Sequence, residues 1–331
     1  MGHSIEVLCA GIIVADHVCT PIDRLPAAGE LVLAERLMLT LGGCAANVAV
    51  NLSKMEVQAA VVGRVGDDIF GRVVSEMLKE KQVDATGIRV TPNCDTSQTL
   101  IVNVKGEDRR FIHTFGANGQ FTAADIPGEA VKSCRILYLG GFLLMEKIVQ
   151  DELIPLFVGA RKAGAKTVLD VVTPGPADYL PRMDRLLPHV DVFLPNELEG
   201  QLITGESDPL KQAETFHRLG AGTAIVTVGS GGAVVVGNDG RFKSGTYQVP
   251  FIDGSGGGDA FAAGYIYGLL KNKSAEDCLR YASAHVSRLL QAAALSKYRR
   301  PGRDIHGAVM PICRSTDRTR SCRYRSARDA V

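Results

Sequence analysis

Short apolar runs alternate along this chain with longer segments whose apolar residues recur every three to four positions. Residues 6–12, 59–62, 135–139, 166–171, 192–194 and 224–228 are runs of strand length rich in Val, Ile and Leu. Between them, 45–55, 69–81, 149–163, 196–203 and 209–219 show helical spacing; Val48, Leu52 and Met55 fall on one face. Strands that alternate with helices predict a three-layer α/β fold, a mostly parallel sheet with helices on both faces. Two segments break the alternation. Residues 18–39 and 96–115 read as extended pieces with turns, such as Lys105-Gly106-Glu107-Asp108, and with no good helix. Together they predict a small β-sheet beside the main domain, suited to a lid; two surface hairpins without a role are the alternative.

Composition narrows the class. A chain of 331 residues, 46% hydrophobic, can bury one large α/β core with a small appendage, placed here at 1–295. Lys+Arg 37 against Asp+Glu 36 leaves +1, which gives no reason to expect nucleic acid or an anionic membrane as a partner. No apolar run is long enough to span a bilayer. Residues 5–15 lack a basic leader and read as a buried strand rather than a signal peptide. Glu6 stands where a myristoylation pattern needs Ser or Thr. The eight cysteines are scattered without a CxxC pair, as in a cytoplasmic protein with reduced thiols. Arginines accumulate from Arg288 onward and apolar periodicity fades after Leu295. The tail, 296–331, is either a basic arm for an acidic partner or, as preferred here, disordered.

Candidate chemistry concentrates in glycine-rich turns. Asp253-Gly254-Ser255-Gly256-Gly257-Gly258-Asp259 leads into a small and apolar stretch that runs to Leu270, so a helix is expected to start near Gly257 or Gly258. Free N–H groups and the helix dipole at such a start favour an anion. A carboxylate there would repel a phosphate, yet it makes sense if Asp259 takes the proton from a hydroxyl that attacks the phosphate. A helix-start aspartate after a flexible loop is the plainer reading. Upstream, Gly42-Gly43-Cys44-Ala45-Ala46-Asn47 repeats the pattern, and Asn47 offers donors and an acceptor to a polyol. It is otherwise an exposed residue on a tightly packed helix. Asp16 follows the first strand, near the carboxyl end of the sheet where ligands bind in such folds; it accepts sugar hydroxyls there or bonds its own loop. Asn196 and Glu199, three apart at a helix start, could hold waters around Mg²⁺ and also match an N-cap and its N3 partner. Thr227-Val228-Gly229-Ser230-Gly231-Gly232 ends a strand as a nucleotide-side loop or a hairpin turn into 233–236.

Taken in order, these pieces resemble the PfkB, or ribokinase-like, family of carbohydrate and nucleoside kinases across residues 5–284. Gly42-Gly43 through Asn47 resembles the family's first signature and Asp253 through Asp259 its second. Gly66-Asp67-Asp68-Ile69-Phe70-Gly71 and Gly116-Ala117-Asn118 also sit where the family has similar elements. The resemblance implies an ATP-dependent sugar kinase with Asp259 as catalytic base and the N–H groups of Gly256, Gly257 and Gly258 as an anion hole. It implies Asp16, Gly42, Gly43 and Asn47 on the sugar, Asn196 and Glu199 organising Mg²⁺ and phosphates, and Thr227, Gly229 and Gly232 on the ATP side. In some relatives a monovalent cation, K⁺ here, lies near the residue matching Asp253. The lid implied by relatives is often a homodimer contact. The sequence departs from the pattern at Gly254, usually Thr, and Gly257, usually Ala. It departs further where the arginine-rich tail replaces the expected small-residue helix and adenine-side loop. A reading-frame change would explain that tail; an intact source gene encoding the same end would refute it.

No GxxxxGK[ST] loop is present, which excludes a Walker-type kinase. A dinucleotide-binding oxidoreductase needs its GxGxxG after the first strand, whereas this glycine cluster falls near the end of the fold. A sugar-binding protein without catalysis and a nucleoside kinase are the remaining alternatives. Arg110, His113 and Asn118 are the lid-side polar residues expected to set the substrate, with Arg110 more simply a surface charge and His113 a strand-face histidine.

Overall fold

The computed structural model describes residues 5–107, 109–247 and 256–298, with side chains as far as residue 291. Asp253, Gly254 and Ser255, and the tail beyond 298, lie outside the described residues.

The five residues of β1 (Val7–Gly11) are all buried, as a central strand covered on both faces requires. The chain leaves the core as β2 (Val14–Ile22), returns as β3 (Leu37–Gly42) and enters α1 (Cys44–Ser53). It continues through β4 (Ala59–Gly66), α2 (Ile69–Glu80) and β5 (Asp84–Thr91), then makes a second excursion as β6 (Gln98–Val104) and β7 (Arg110–Thr114). The helix α3 (Gly128–Ser133), β8 (Ile136–Gly140), α4 (Gln150–Lys162), β9 (Lys166–Leu169) and β10 (Val192–Phe193) follow. After α5 (Glu197–Thr204) and α6 (Pro209–Arg218) come β11 (Thr223–Thr227), β12 (Ala233–Gly237) and β13 (Gly240–Ser244). The helices α7 (Gly257–Leu270) and α8 (Ala275–Tyr298) complete the described chain.

Nine strands form the main sheet in the order β13-β12-β11-β10-β9-β8-β1-β4-β5. All pairs from β11 to β5 are parallel, and β12 and β13 add an antiparallel edge. Alternate residues of β1 serve two cores. Val7 and Cys9 pack with α1, α7 and α8, while Leu8 and Ala10 pack with α3, α4 and α6. The three layers expected from the alternation are present. Because β1 has β4 on one side and β8 on the other, crossovers run opposite ways from it and leave a crevice at its carboxyl end. No helix among the described residues is long and apolar enough to cross a membrane.

The two segments outside the alternation do form a separate sheet, ordered β3-β2-β6-β7. It begins earlier and ends later than residues 18–39 indicated. Asp16 and Gly42 therefore stand on this sheet, not on a loop at the rim of the main one. The strands β5 and β13 escaped the sequence reading because none of their residues is buried and no apolar run marks them.

Side chains clamp the roots of the small sheet. Asn118 Nδ2 donates to Ile13 O at 2.9 Å and its Oδ1 accepts from Ile13 N at 3.2 Å, so its amide serves the backbone that leads into β2. Asp68 caps α2 by accepting from Gly71 N at 2.8 Å and also accepts from Thr96 Oγ1 at 2.6 Å and Thr96 N at 2.7 Å. Burial pushes the Asp68 carboxyl up, but these donors outweigh it and hold it below its ordinary value. Its contribution is therefore complete above the ordinary carboxylate range and lost as pH falls. Asp68→Ala should cost about 2 kcal/mol of stability at neutral pH, read from the denaturant midpoint, and less at pH 3.

Candidate active site

Gly256, at φ 72°, takes the left-handed conformation that starts α7 and that a side chain would resist. Ala260 N donates to Gly256 O at 2.8 Å, the first bond of the helix. The N–H groups of Gly256, Gly257, Gly258 and Asp259 have no acceptor within the helix. A Cβ on Gly257 or Gly258 would meet no described atom within 4 Å, so the described residues leave the main chain uncovered there. Open amides on a helix dipole suit an anion.

Asp259 lies in this first turn. Asn47 of α1 donates to its Oδ2 at 2.8 Å, and the Cys44 thiol donates to it as well. Burial pushes its pKa up to about 6 despite both donors. Asn47 is therefore not an idle exposed residue; it fixes one carboxylate oxygen. The turn that delivers α1 is as tightly specified. A Cβ on Gly43, at φ 89°, would lie 2.4 Å from Ile12 O, and one on Gly42 would lie 2.0 Å from Asp16 Oδ2. Gly42 thus leaves room for the Asp16 carboxylate. Burial raises Asp16 to about 6; a hydrogen bond from Thr99 lowers it, the nearby Asp259 charge raises it and His17 lowers it.

The next strand ends build a second wall. Asn196 Oδ1 accepts from Leu198 N and Glu199 N, both at 2.9 Å, and Asn196 N donates to Glu199 Oε2 at 2.8 Å. This is the expected capping box. Thr227 bridges to Asn196, and Thr227 N donates to Pro195 O at 3.1 Å. Gly229 and Gly232 both have positive φ and shape the hairpin from β11 to β12, as the plainer reading of that turn had it. Burial pushes Glu199 up to about 7; the Asn196 amide opposes this and Asp259 adds to it.

One acidic group was missed. Asp170, just past β9, is half-buried beside Asp259 and accepts from Tyr138 Oη at 2.7 Å. Burial, then the charges of Glu199 and Asp259, drive its pKa well above the carboxylate range against the Tyr138 and Val171 donors. Cys44 Sγ and carboxylate oxygens of Asp170 and Asp259 all lie within 4.8 Å of one another. A lone carboxylate in the apolar run Val168-Leu169-Asp170-Val171-Val172 was the available signal.

The structure thus brings Asp16, Gly42, Gly43, Asn47, Gly256, Gly257, Gly258 and Asp259 to one crevice. Glu199 lies within electrostatic range, and Thr227, Gly229 and Gly232 are one strand further out. Among the residues expected to set the substrate, Asn118 is engaged with Ile13, and Arg110 pairs with Glu107 on the sheet face opposite Asp16. Asn196 Oδ1 is occupied by two amides, so Asn196 offers its oxygen to no metal. Among the described residues no hydrogen bond reaches Glu199 Oε1, which fits a magnesium ion that retains its waters. The Cys44, Asp170 and Asp259 group does not suit magnesium, because burial keeps the soft thiol protonated.

A half-buried carboxylate beside the open amides of a helix start is an arrangement suited to phosphoryl transfer to a hydroxyl. The chain belongs to the pfkB family of carbohydrate kinases, whose sequence profile matches residues 4–293. It is 28% identical over 298 residues to ribokinase of Haemophilus influenzae, across 86% of this chain and 91% of that one. To the probable fructokinase-7 of Arabidopsis thaliana it is 26% identical over 261 residues, 75% and 76% of the two chains. The solved structure of Arabidopsis thaliana ribokinase complexed with ribose and ATP matches with TM-score 0.73 at 26% identity, covering 87% of this chain and 93% of that one. The adenosine kinase of Sinorhizobium meliloti, at 19% identity, shares the fold with TM-score 0.72 over 89% and 100%. The protein is a carbohydrate kinase, a phosphotransferase with an alcohol acceptor.

Proposed function

We propose that the protein transfers the γ-phosphoryl group of MgATP to a sugar hydroxyl. The observation that carries this reading is the Asp259 carboxylate, held by Asn47 at 2.8 Å in the same helix turn as the amides of Gly256, Gly257 and Gly258, none of which has an acceptor within the helix. Asp16 and Asn47 would orient the sugar, and Gly42 and Gly43 would let it approach the main chain. Asp259 would accept the hydroxyl proton as attack on phosphorus proceeds. The amides of Gly256, Gly257 and Gly258 would stabilise charge on the phosphoryl oxygens, and low water content would suppress hydrolysis of ATP. Glu199 would hold a water of the magnesium ion, which neutralises phosphate charge when bound. Thr227, Gly229 and Gly232 would line the nucleotide side. The solved Arabidopsis ribokinase is complexed with ribose and ATP, which supports a sugar and a nucleotide as the two ligands. A K⁺ near Asp253 stays part of the proposal.

The test is ADP release from ATP with ribose, fructose and adenosine as acceptors. Release with a free sugar supports the reading; release with adenosine alone makes it a nucleoside kinase, and none with any acceptor refutes it. All six described cysteines are free, which supports a cytoplasmic location; a disulfide in the native protein would count against it. The outer face of the small sheet exposes Leu37, Leu100 and Ile112 at 77%, 41% and 67%. Faces this apolar favour burial against a partner, and a homodimer through the lid is proposed. Sedimentation should give twice the chain mass, and Ile112→Glu should return a monomer; a monomeric parent at micromolar concentration refutes the dimer.

A further inference from the structure

Asn51 is a polar residue in an apolar place. It is 6% exposed on α1, whose buried Val48, Ala49 and Leu52 share one core with α7 and α8. Its amide is nevertheless fully engaged. Nδ2 donates to Asn47 O at 2.9 Å, and Oδ1 lies 3.1 Å from His285 Nε2 on α8. Exchanging the two amide atoms would set oxygen against a carbonyl oxygen, so Oδ1 accepts and the imidazole carries its hydrogen on Nε2. Among the described residues this is the one hydrogen bond between α8 and α1. The three helices close a triangle. A Cβ on Gly264 would lie 2.7 Å from Ala282 Cα, and one on Gly268 would lie 2.8 Å from Cys278 Cα, so α7 and α8 meet backbone to backbone in one register. His285 stands one turn past Ala282 and ties α8 to α1. The third side, from α1 to α7, carries the 2.8 Å bond from Asn47 to Asp259. Apolar contacts hold α1 in place without direction. The buried pair adds direction, because any slide of α1 leaves an amide and an imidazole without partners, which is unfavourable.

We infer that Asn51 and His285 are positioning residues for phosphoryl transfer, holding α1 at the height on α8, and so on α7, at which Asn47 reaches the Asp259 carboxylate. Each acts through Asn47, one helical turn from Asn51. Loosening the pair lets α1 shift along its axis and lengthens the bond from Asn47 to Asp259. Two effects follow from that one change. The carboxylate gains freedom to leave the line of attack on the hydroxyl. It also loses a donor that holds its pKa down against burial, so it protonates at higher pH. The nucleotide side, at Thr227, Gly229 and Gly232, stands on β11 and its turn and is not part of the triangle. This inference rests on the sugar-kinase reading for the role of Asp259, but the titration of that carboxyl can be followed without turnover.

The key variant of the full chain replaces both partners with apolar groups of similar size, Asn51→Leu together with His285→Leu. Removing both halves of a buried polar pair costs a fold little, so its melting temperature should stay near the parental value. Its kcat should nevertheless fall about 10-fold, with the acid limb of the pH profile moved up by about one unit and the KM for ATP unchanged. His285→Ala should show the same limb at lower stability. His285→Gln, whose amide can still donate to Asn51 Oδ1, should recover most of the turnover and return the limb. Nuclear magnetic resonance of protein labelled at the aspartate carboxyls reads the same shift directly, with the Asp259 signal assigned by its loss in Asp259→Asn. An Asp259 carboxyl that titrates in the double variant as in the parent overturns the inference and leaves Asn51 and His285 as packing alone. If the double variant does not fold, the single variants decide: His285→Gln titrating no differently from His285→Ala overturns it equally. The kinase reading fails separately: the Asp259 carboxyl would shift in the double variant, yet the parent would release no ADP with any acceptor.

Discussion

Asp259→Asn should lower turnover by about 10²- to 10⁴-fold while sugar and ATP still bind. The amide keeps the size of the side chain and an oxygen for Asn47, so the crevice keeps its shape; what is lost is the ability to take a proton. Single-turnover kinetics with separately measured dissociation constants check this, and near-parental turnover removes Asp259 from the role. The pH profile gives the same group a signature. With a pKa raised to about 6, the base is ionised at pH 7 and increasingly protonated below, so kcat should fall about tenfold per unit below pH 6. Asp16 titrates in the same range, so kcat/KM should fall more steeply, with apparent values that belong to the pair. Stability should move the opposite way. A carboxyl whose folded pKa exceeds its unfolded value makes the folded state less stable as pH rises from about 4 to 6. Asp259→Asn should therefore melt above the parent at pH 7, and the gap should close toward pH 4.

Gly42→Ala should raise the KM for sugar by about 10- to 100-fold and leave the KM for ATP unchanged. The added methyl would sit 2.0 Å from Asp16 Oδ2 and 2.3 Å from its Cγ. Something must shift, and the carboxylate is the mobile partner. Its displacement would remove a charge-assisted acceptor from the sugar. Steady-state kinetics with each substrate varied in turn separate the two constants; a KM for sugar within twofold of the parent would show that Asp16 is not on the substrate.

Much of this arrangement could be read from the chain before any coordinates. Glycines followed by small residues and an aspartate announce α7, because few other patterns start a helix with open amides. The buried strands announce themselves as unbroken apolar runs. What escaped has a physical reason in each case. Asp170 sits inside an apolar run, and no local pattern says that the fold carries it beside Asp259. The pairing of Asp16 with Gly42 is a tertiary contact across two strands, invisible in a periodicity. Asn118, Arg110 and His113 looked alike as lid-side polar residues; a main-chain clamp engages Asn118, and strand register turns Arg110 away while it keeps His113 in the row of Asp16.

The clamps on Ile13 and Thr96 also constrain how the small sheet can travel. Asn118 and Asp68 bolt the bases of β2 and β6 to the body of the protein, so any swing must pivot there, with displacement growing toward the far tip. Asp16 stands three residues from the pivot and moves little. On the proposed reading a sugar would meet the carboxylate already in place, and the outer half of the sheet would fold down afterward.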